Sequence, residues 1–311
     1  MQNSKRIENV AIVGMGALGI LFGQHLTQAI GSDRVTFIAD AQRVERYKNS
    51  MILSNDTVCQ FAFSTPEAYG RKPDLLIFAV KGTALKEALF MVRPLIGHDT
   101  IIISLINGIE SETYIEDMTD HDAVVVSCVA QGMDALRTNT SIRYTKMGYL
   151  CIGLKKDQTH WSEAFRRLTD FFDAIRLPYR AEEDIERRLW CKWMQNIGVN
   201  QIVMLEQSNF ACIQQPGPAR ERMIAAMREV MQLAALNGIV ITEDDLNEYL
   251  AINDSLNPAG MPSMRQDGVA KRYSEVELFS GALVRKAAEV GMQAPVNEQI
   301  YRDVKAIEAT Y

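Results

Sequence analysis

The stretch VAIVGMGALG, residues 10–19, places three glycines directly after a run of apolar residues. In the pattern GxGxxG the first glycine permits a tight turn and the second lets the backbone approach a phosphate. The third lets a helix pack closely on a strand. A helical pattern, ALGILFGQHLTQAI, follows at once and ends before Gly31, so N–H groups at a helix start meet the loop. The stretch predicts a dinucleotide-binding loop, and a glycine-rich turn without nucleotide is the alternative. The predicted phosphate-binding residues are Gly14, Met15, Gly16, Ala17, Leu18 and Gly19.

Apolar runs like the one before Gly14 recur along the first 150 residues. They are continuous rather than alternating, which is typical of buried parallel strands. These runs are RVTFIAD (34–40), DLLIFAV (74–80), TIIISLI (100–106) and AVVVSCVA (123–130). Alternation of strands with helical patterns predicts an α/β fold, a Rossmann-type doubly wound parallel sheet.

The next segment is predicted to contain a β-hairpin over 141–154 with its turn near Gly148, then a helix over 162–175 and a linker over 176–184. From 185 onward the pattern is helical. The predicted helices are 185–205, 218–237, 243–254, 263–290 and 295–309. We therefore expect a dinucleotide-binding domain over 1–180 and an all-helical, substrate-binding domain over 181–311.

Bulk composition narrows the function classes. The 311 residues carry a net charge of −6, are 47% hydrophobic and 23% charged, and include five cysteines without a CxxC pair. The negative charge argues against nucleic acid or an anionic membrane as partner. The cysteine pattern argues against a disulfide framework or a zinc site, so no metal is expected. No signal peptide or membrane span is indicated, and we expect a cytoplasmic protein.

Asp40 ends the second predicted strand, about twenty residues after the glycine loop. A carboxylate there accepts from the ribose 2′-hydroxyl and favours NAD, whereas NADP needs a cation for its 2′-phosphate. Arg43 could supply that cation. Asp40 fits equally well as the N-cap of the following helix, so the choice of cofactor stays open at this point.

A reductase of ketones needs a group that protonates the developing alkoxide, and histidine is the common donor. The four histidines lie in predicted surface helices or turns, away from the glycine motif and from polar clusters, which favours solvated positions. They are His25, His98, His121 and His160. Lysine is therefore the better candidate for the proton donor.

The stretch LWCKWMQNIGVN, residues 189–200, carries Lys192, Asn196 and Asn200 at four-residue intervals. On a helix this spacing forms one polar stripe among Trp, Met and Ile. An ammonium there could donate a proton to a ketone while the carboxamides orient the substrate. A solvated helix face is the alternative, and the spacing alone does not distinguish the two.

A second stripe at the same interval consists of Ser263, Asp267, Lys271 and Glu275. It would give a second wall to a cleft. Ser263 with Gln266 also fits a capping box, and alternating charges are typical of an exposed helix face.

Lys81 and Asn107 each follow a predicted strand, where α/β proteins bind ligands. Taken singly, Lys81 could be a surface cation and Asn107-Gly108 a turn.

Together these motifs resemble the ketopantoate reductase family, in order along nearly the whole chain. The stretches that carry the resemblance are GMGALG (14–19), FAVKG (78–82), SLINGI (104–109), LWCKWMQNIGVN (189–200), PSMRQD…SEVE (262–277) and the closing LVRKAAEVGMQAPVNEQIY.

The resemblance implies NADPH-dependent reduction of a 2-keto acid, the small-molecule partner, by a Rossmann domain and a helical domain. It makes Lys192 the general acid and Glu275 an acid that contacts both cofactor and substrate. Substrate-binding residues by this resemblance are Asn107, Asn196, Asn200 and Ser263. Lys81 and Asn107 would line the nicotinamide side, with Asp40 and Arg43 near the ribose.

Three positions depart from the family. Asp40 stands where the family commonly has a basic residue, VAQGMDA (129–135) replaces a Thr/His-containing stretch, and Asn200-Gln201 replaces Asn-Pro. The departures concern NADP preference and the substrate's tail.

Three functions remain open. The first is reduction of ketopantoate to pantoate for pantothenate and coenzyme A synthesis. The second is reduction of other branched or aromatic 2-keto acids, with NADH in place of NADPH as Asp40 suggests. The third is a dinucleotide-binding regulator without turnover, against which the complete lysine and asparagine set counts. The sequence does not determine the oligomeric state, and a homodimer is one alternative.

Overall fold

The structure, a computed structural model, describes residues 6–119, 123–138 and 140–311. The chain divides into two compact units, Met1–Ile185 and Glu186–Tyr311. The first unit is an α/β fold and the second is helical, so the predicted fold class is confirmed.

The first unit contains twelve strands among the described residues. They are β1 (Val10–Val13), β2 (Val35–Ile38), β3 (Leu53–Ser54), β4 (Thr57–Val58), β5 (Ala62–Ser64), β6 (Leu75–Phe78), β7 (Ile101–Ser104), β8 (Val124–Gln131), β9 (Leu136–Thr138), β10 (Ser141–Arg143), β11 (Tyr149–Gly153) and β12 (Tyr179–Ala181). Its helices are α1 (Ala17–Ile30), α2 (Ala41–Lys48), α3 (Pro66–Tyr69), α4 (Leu85–Val92), α5 (Ser111–Met118) and α6 (Ser162–Ala174).

The main sheet has the order β12-β11-β8-β7-β6-β1-β2-β5. The six strands from β8 to β5 are mutually parallel, and β1 lies between β2 and β6. The strand order reverses at β1, which is the topological switch point of a doubly wound sheet. The apolar runs predicted as strands coincide with β1, β2, β6, β7 and β8, all fully buried apart from the last two residues of β8.

The predicted hairpin over 141–154 is wrong. Strand β10 belongs to a second, four-stranded sheet of order β4-β3-β10-β9, whereas β11 pairs antiparallel with β8 in the main sheet. Gly148 explains the pairing, because it has a φ of +69° and a Cβ there would lie 2.3 Å from the Gln131 carbonyl oxygen. The glycine brings β11 against the end of β8 instead of turning the chain back onto β10.

The predicted linker over 176–184 is also wrong, because it contains β12. This strand pairs parallel with β11, Leu150 opposite Tyr179, and extends the edge of the main sheet. Leu177 before it is buried, which anchors the segment. A three-residue strand leaves too short a pattern to recognise in the sequence.

Seven helices begin in or beside the second unit. They are α7 (Ile185–Leu205), α8 (Ala211–Gln214), α9 (Pro218–Leu236), α10 (Glu243–Asp254), α11 (Ser263–Val269), α12 (Ser280–Glu289) and α13 (Pro295–Glu308). Four of the five predicted helices correspond to α7, α9, α10 and α13. The four-residue α8 is too short for the helical period to reveal it.

The predicted helix over 263–290 is interrupted between α11 and α12. Lys271 has a φ of +49°, outside the right-handed helical region, and a short 3₁₀ turn spans Val276–Leu278. The Asp267 carboxylate accepts from Arg272 Nε at 2.9 Å and closes the turn after α11. The stripe from Ser263 to Glu275 therefore does not exist as one helical face, and only Ser263 and Asp267 share α11.

Helix α7 is the core of the second unit. Gly198 allows close packing against α9, since a Cβ there would lie 2.6 Å from Met227 Cε. Trp193 is buried, and its Nε1 donates to the Leu278 carbonyl at 2.7 Å. The tryptophan thus fastens α7 to the segment between α11 and α12.

Within the described ranges, no helix is both long and apolar enough to cross a membrane. The five cysteines are free thiols, and four of them are buried. The described residues also include no group of three or more His, Cys, Asp or Glu side chains that could hold a metal ion.

Candidate active site

The glycine loop lies at the switch point of the main sheet, between β1 and α1. Gly14 has a φ of +104°, and a Cβ there would lie 2.6 Å from the Ala79 carbonyl. A Cβ on Gly19 would lie 2.1 Å from the Gly14 oxygen. Both positions therefore require glycine for the fold itself, whether or not a ligand binds.

Gly16 differs from the other two glycines. A Cβ there would meet Ala79 O at 3.4 Å, an ordinary contact, and its φ of −80° is open to any residue. The fold tolerates a side chain at this position, so the absence of one leaves space beside the backbone. Gly16 is also the N-cap of α1, no side chain caps the helix, and its first turn holds no acidic residue. These features fit the pyrophosphate of a dinucleotide.

Asp40 follows β2 and is the N-cap of α2. One carboxylate oxygen accepts from Arg43 N at 2.7 Å, and the other lies 3.2 Å from the Arg43 guanidinium. Both side chains are about half exposed. The capping role considered from the sequence is therefore present, and Asp40 also holds the cation that a 2′-phosphate would need.

Lys81 and Asn107 lie just beyond β6 and β7. These strands, with β1 and β2, are adjacent and parallel, so the residues after them share one edge of the sheet. Lys81 is exposed and precedes a short 3₁₀ turn over Gly82–Ala84. Gly108, with a φ of +102°, forms the turn after Asn107. The structure thus brings the first-unit candidates to the edge where ligands bind in such folds.

Of the three histidines that the structure describes, two are exposed and one is half-buried. His98 and His160 are exposed beside the Trp161 ring, as predicted. His25 is not a surface residue, since it is half-buried with Nε2 3.0 Å from the Ile175 carbonyl oxygen, and burial lowers its pKa. His121 lies outside the described residues.

In the second unit, α7 carries Lys192, Asn196 and Asn200 on successive turns, and both asparagines are buried. The solvated-face alternative therefore does not hold for the carboxamides. The Lys192 side chain keeps partial solvent contact, yet surrounding protein desolvates the ammonium and lowers its pKa from 10.5 to about 8. A lysine with this pKa can release a proton near neutral pH.

Ser263 and Glu275 lie on separate elements. Ser263 is the exposed first residue of the seven-residue α11, and the N-cap is Pro262, so the capping box with Gln266 is absent. Glu275 is buried at the start of the 3₁₀ turn.

The sequence patterns did not identify four polar residues that contact these candidates or their neighbours, namely Gln195, Asn253, Ser274 and Glu308. Gln195 accepts a hydrogen bond from Lys192 Nζ at 3.1 Å and donates from its own Nε2 to Asn253 Oδ1 at 2.8 Å. Ser274, next to Glu275, donates from its N and Oγ to Glu308 Oε1 at 2.7 and 2.6 Å. The i,i+3 spacing of Lys192 and Gln195 could have indicated their contact. The pairs Gln195–Asn253 and Ser274–Glu308 are far apart in sequence, so no local pattern predicts them.

A doubly wound sheet with a glycine loop at its switch point, followed by a helical unit with a desolvated lysine, is typical of nicotinamide-dependent oxidoreductases. Family comparison narrows this class. The family description "Ketopantoate reductase PanE/ApbA" matches residues 10–156, and "Ketopantoate reductase PanE/ApbA C terminal" matches residues 184–308. The chain belongs to the ketopantoate reductase family.

Relatives cover the chain almost end to end at low identity. The 2-dehydropantoate 2-reductases of Aquifex aeolicus and Vibrio cholerae are 26% and 24% identical. They cover 96% and 97% of this chain, and 96% and 99% of their own.

Three solved structures share the fold over 97% of this chain and 99% of their own. A PanE/ApbA family ketopantoate reductase from Ralstonia eutropha JMP134 has a TM-score of 0.82 at 22% identity. A ternary structure of D-mandelate dehydrogenase with NADH and anilino(oxo)acetate has a TM-score of 0.86 at 23% identity. A dimeric ketopantoate reductase from Staphylococcus aureus has a TM-score of 0.79 at 20% identity.

Proposed function

We propose that the protein reduces a 2-keto acid to the 2-hydroxy acid with NAD(P)H, and that its substrate is ketopantoate. The product, pantoate, would serve pantothenate and coenzyme A synthesis. The observation that carries the proposal is Lys192, a desolvated lysine with a pKa of about 8 on a helix whose next two turns bear buried asparagines. Membership of the family and the names of its relatives support the same reaction.

In this proposal Lys192 is the general acid. Bound reduced nicotinamide supplies the hydride to the keto carbon. Negative charge then develops on the keto oxygen, and the Lys192 ammonium stabilises it and donates its proton. Asn196 and Asn200 orient the substrate through their carboxamides. Their burial supports this role, because close packing restricts the side-chain rotamers and so fixes the direction of each carboxamide.

Ser263 and Glu275 complete the proposed substrate site. The Ser263 hydroxyl is assigned to the substrate carboxylate, and Glu275 to the cofactor and the substrate hydroxyl. Ser274 and Glu308 hold the backbone next to Glu275 through their two hydrogen bonds. A buried carboxylate on an anchored segment can present the same oxygen to both ligands.

The first unit is assigned to the cofactor. The loop from Gly14 to Gly19 would receive the pyrophosphate, and the space beside Gly16 supports this. Asp40 and Arg43 would face the adenosine ribose, and Lys81 and Asn107 the nicotinamide, with Asn107 also contacting the substrate.

A second candidate is an NADH-dependent reductase of another branched or aromatic 2-keto acid. The Asp40–Arg43 pair favours it, because Asp40 repels a 2′-phosphate and also engages the one nearby cation considered for it. The D-mandelate dehydrogenase structure, which contains NADH, shows that this fold accommodates that cofactor in a relative.

Steady-state kinetics on a panel separate the candidates. Ketopantoate, a branched 2-keto acid and phenylglyoxylate are each assayed with NADH and with NADPH. The proposal predicts the highest kcat/KM for ketopantoate, and an equal or higher value for another keto acid would favour the second candidate. No NAD(P)H oxidation on any substrate, with cofactor still bound, would indicate a regulator instead.

We further propose a cytoplasmic homodimer. Five free thiols suit a reducing compartment, and a dimeric ketopantoate reductase has the same fold. Light scattering after size-exclusion chromatography tests the assembly, and a mass near 34.9 kDa would show a monomer instead.

A further inference from the structure

Three side chains of the second unit form a continuous hydrogen-bonded chain that ends at Lys192. Lys192 Nζ donates to Gln195 Oε1 at 3.1 Å, and Gln195 Nε2 donates to Asn253 Oδ1 at 2.8 Å. Gln195 is buried, and Asn253 is completely buried at the end of α10. The chain therefore links the lysine on α7 to a second helix.

The direction of every hydrogen bond in this chain follows from Lys192. A charged lysine can only donate, so the amide oxygen of Gln195 must face it and the amide nitrogen must point away. That nitrogen needs an acceptor, which turns the Asn253 oxygen toward Gln195. The remaining Asn253 Nδ2 is buried without a partner in the described structure, so the arrangement satisfies the lysine at the cost of one unpaired donor.

Asn253 is itself anchored from a third helix. Gln214, on α8, donates from Nε2 to the backbone oxygens of Asn253 and Leu256, at 2.9 Å each. The backbone that carries the Asn253 side chain is thereby held in place. Gln195 consequently has a fixed acceptor on one side and the ammonium on the other.

The partner of Lys192 is an amide rather than a carboxylate, and this matters for proton transfer. A carboxylate at hydrogen-bond distance would stabilise the ammonium and hold its proton. A neutral amide oxygen orients the ammonium without adding opposite charge. The lowered pKa of Lys192, caused by burial, agrees with an uncharged partner.

Two neighbouring groups, the Cys191 thiol and the Tyr249 hydroxyl, stay protonated across the neutral range. Burial raises the pKa of Cys191 to about 11 and that of Tyr249, on α10, to about 12. Arg188, one turn before Lys192, donates to the Tyr249 hydroxyl at 3.4 Å, and Glu248 acts on the same tyrosine. Neither Cys191 nor Tyr249 therefore titrates near pH 8.

We infer that Gln195, oriented by Asn253, is a positioning residue that aims the Lys192 ammonium for proton transfer. The inference rests on the proposed function, in which Lys192 is the acid. It adds two residues that take no direct part in the reaction.

Substitutions of Gln195 that keep its size test the inference through the pH dependence of kcat/KM for keto-acid reduction. Gln195→Glu should move the basic limb up by about one pH unit. Gln195→Met should move the limb down and lower kcat by about tenfold, with KM little changed. Asn253→Leu should shift the limb in the same direction as Gln195→Met. Gln195→Glu and Gln195→Met have side chains of similar size, so a loss of folding cannot explain shifts of the basic limb in opposite directions.

Gln232→Glu is the matched control, since it adds the same charge at an exposed position on α9 and should leave the limb unchanged. The inference is overturned if wild type and the Gln195 variants share one limb and one kcat. A second readout is the rate of Lys192 acetylation by acetic anhydride against pH, followed by mass spectrometry. If wild type reduces no keto acid, the proposed function fails. An acetylation midpoint that still moves between Gln195→Glu and Gln195→Met would then support the positioning, and an unmoved midpoint would overturn it.

Discussion

Burial lowers the pKa of Lys192 from 10.5 to about 8. Reduction consumes a proton, so the proposed reaction needs the ammonium form. A lowered pKa means that this form is lost earlier as the pH rises. For free enzyme, kcat/KM for reduction should therefore fall as the pH rises through about 8.

The reverse reaction should show the opposite dependence. Oxidation of the 2-hydroxy acid needs the neutral amine as base, so its kcat/KM should rise through the same pH range. Both profiles can be measured from NAD(P)H absorbance. A reduction limb near 10.5, the ordinary lysine pKa, would contradict the desolvated lysine.

Asp40 has two separable roles, one structural and one in cofactor choice. Asparagine caps helices as well as aspartate does, so Asp40→Asn should leave the melting temperature nearly unchanged. The variant removes the negative charge and releases the Arg43 guanidinium. The ratio of kcat/KM for NADPH over that for NADH should rise by about tenfold, equivalent to about 1.4 kcal/mol. An unchanged ratio would leave Asp40 with the cap alone.

Single residues were predictable where their spacing was regular. The stripe of Lys192, Asn196 and Asn200 followed from a four-residue interval, and the structure keeps it on one helix. Asn253 and Glu308 could not be found this way, because they meet their partners across 58 and 34 residues of chain. Such contacts depend on how helices pack, which local spacing does not encode.

Among the elements, the glycine loop contains one glycine that the fold requires, Gly14, and one that the fold does not require but that cofactor binding is proposed to need, Gly16. Gly14→Ala forces a side chain to 2.6 Å from Ala79 in a left-handed conformation, so it should destabilise the protein by about 2 kcal/mol or more. Gly16→Ala meets only an ordinary contact and should cost at most about 1 kcal/mol, as a weaker N-cap.

Cofactor binding should respond in the reverse order. A methyl group at Gly16 would occupy the space proposed for the pyrophosphate and raise the Kd for NAD(P)H by about tenfold or more. Thermal unfolding and fluorescence titration measure the two effects. Unchanged cofactor affinity in Gly16→Ala would show that the pyrophosphate does not approach this glycine.

Elements with long, uniform patterns were predictable and short ones were not. The buried parallel strands and α1 matched the sequence because a run of mostly apolar residues marks each strand. Strands β9, β10 and β12 have three residues each, which is too few to form a recognisable pattern. The pairing of β11 with β8 depends on the close approach of Gly148 to Gln131, which local spacing does not reveal. Helix 263–290 was broken by the Asp267–Arg272 ion pair and the backbone of Lys271, neither of which interrupts the helical period in the sequence.

For the whole molecule, the proposed reaction needs both units, since the first carries the glycine loop and the second the lysine. The family matches cover both, over residues 10–156 and 184–308. Specificity is a separate matter, because relatives of one fold at about a quarter identity include both ketopantoate and mandelate enzymes. The identity of the keto acid therefore has to be tested separately from the proposed reaction.

The most direct test of the central claim is the kcat of Lys192→Ala for ketopantoate reduction, beside Lys86→Ala as a control at an exposed lysine of α4. Circular dichroism and the Kd for NAD(P)H verify that each variant is folded and binds cofactor. The account predicts a loss of kcat by about 100-fold or more for Lys192→Ala, the usual contribution of a general acid, and none for Lys86→Ala. A Lys192→Ala enzyme that is folded and turns over within a few-fold of wild type would show that another group donates the proton.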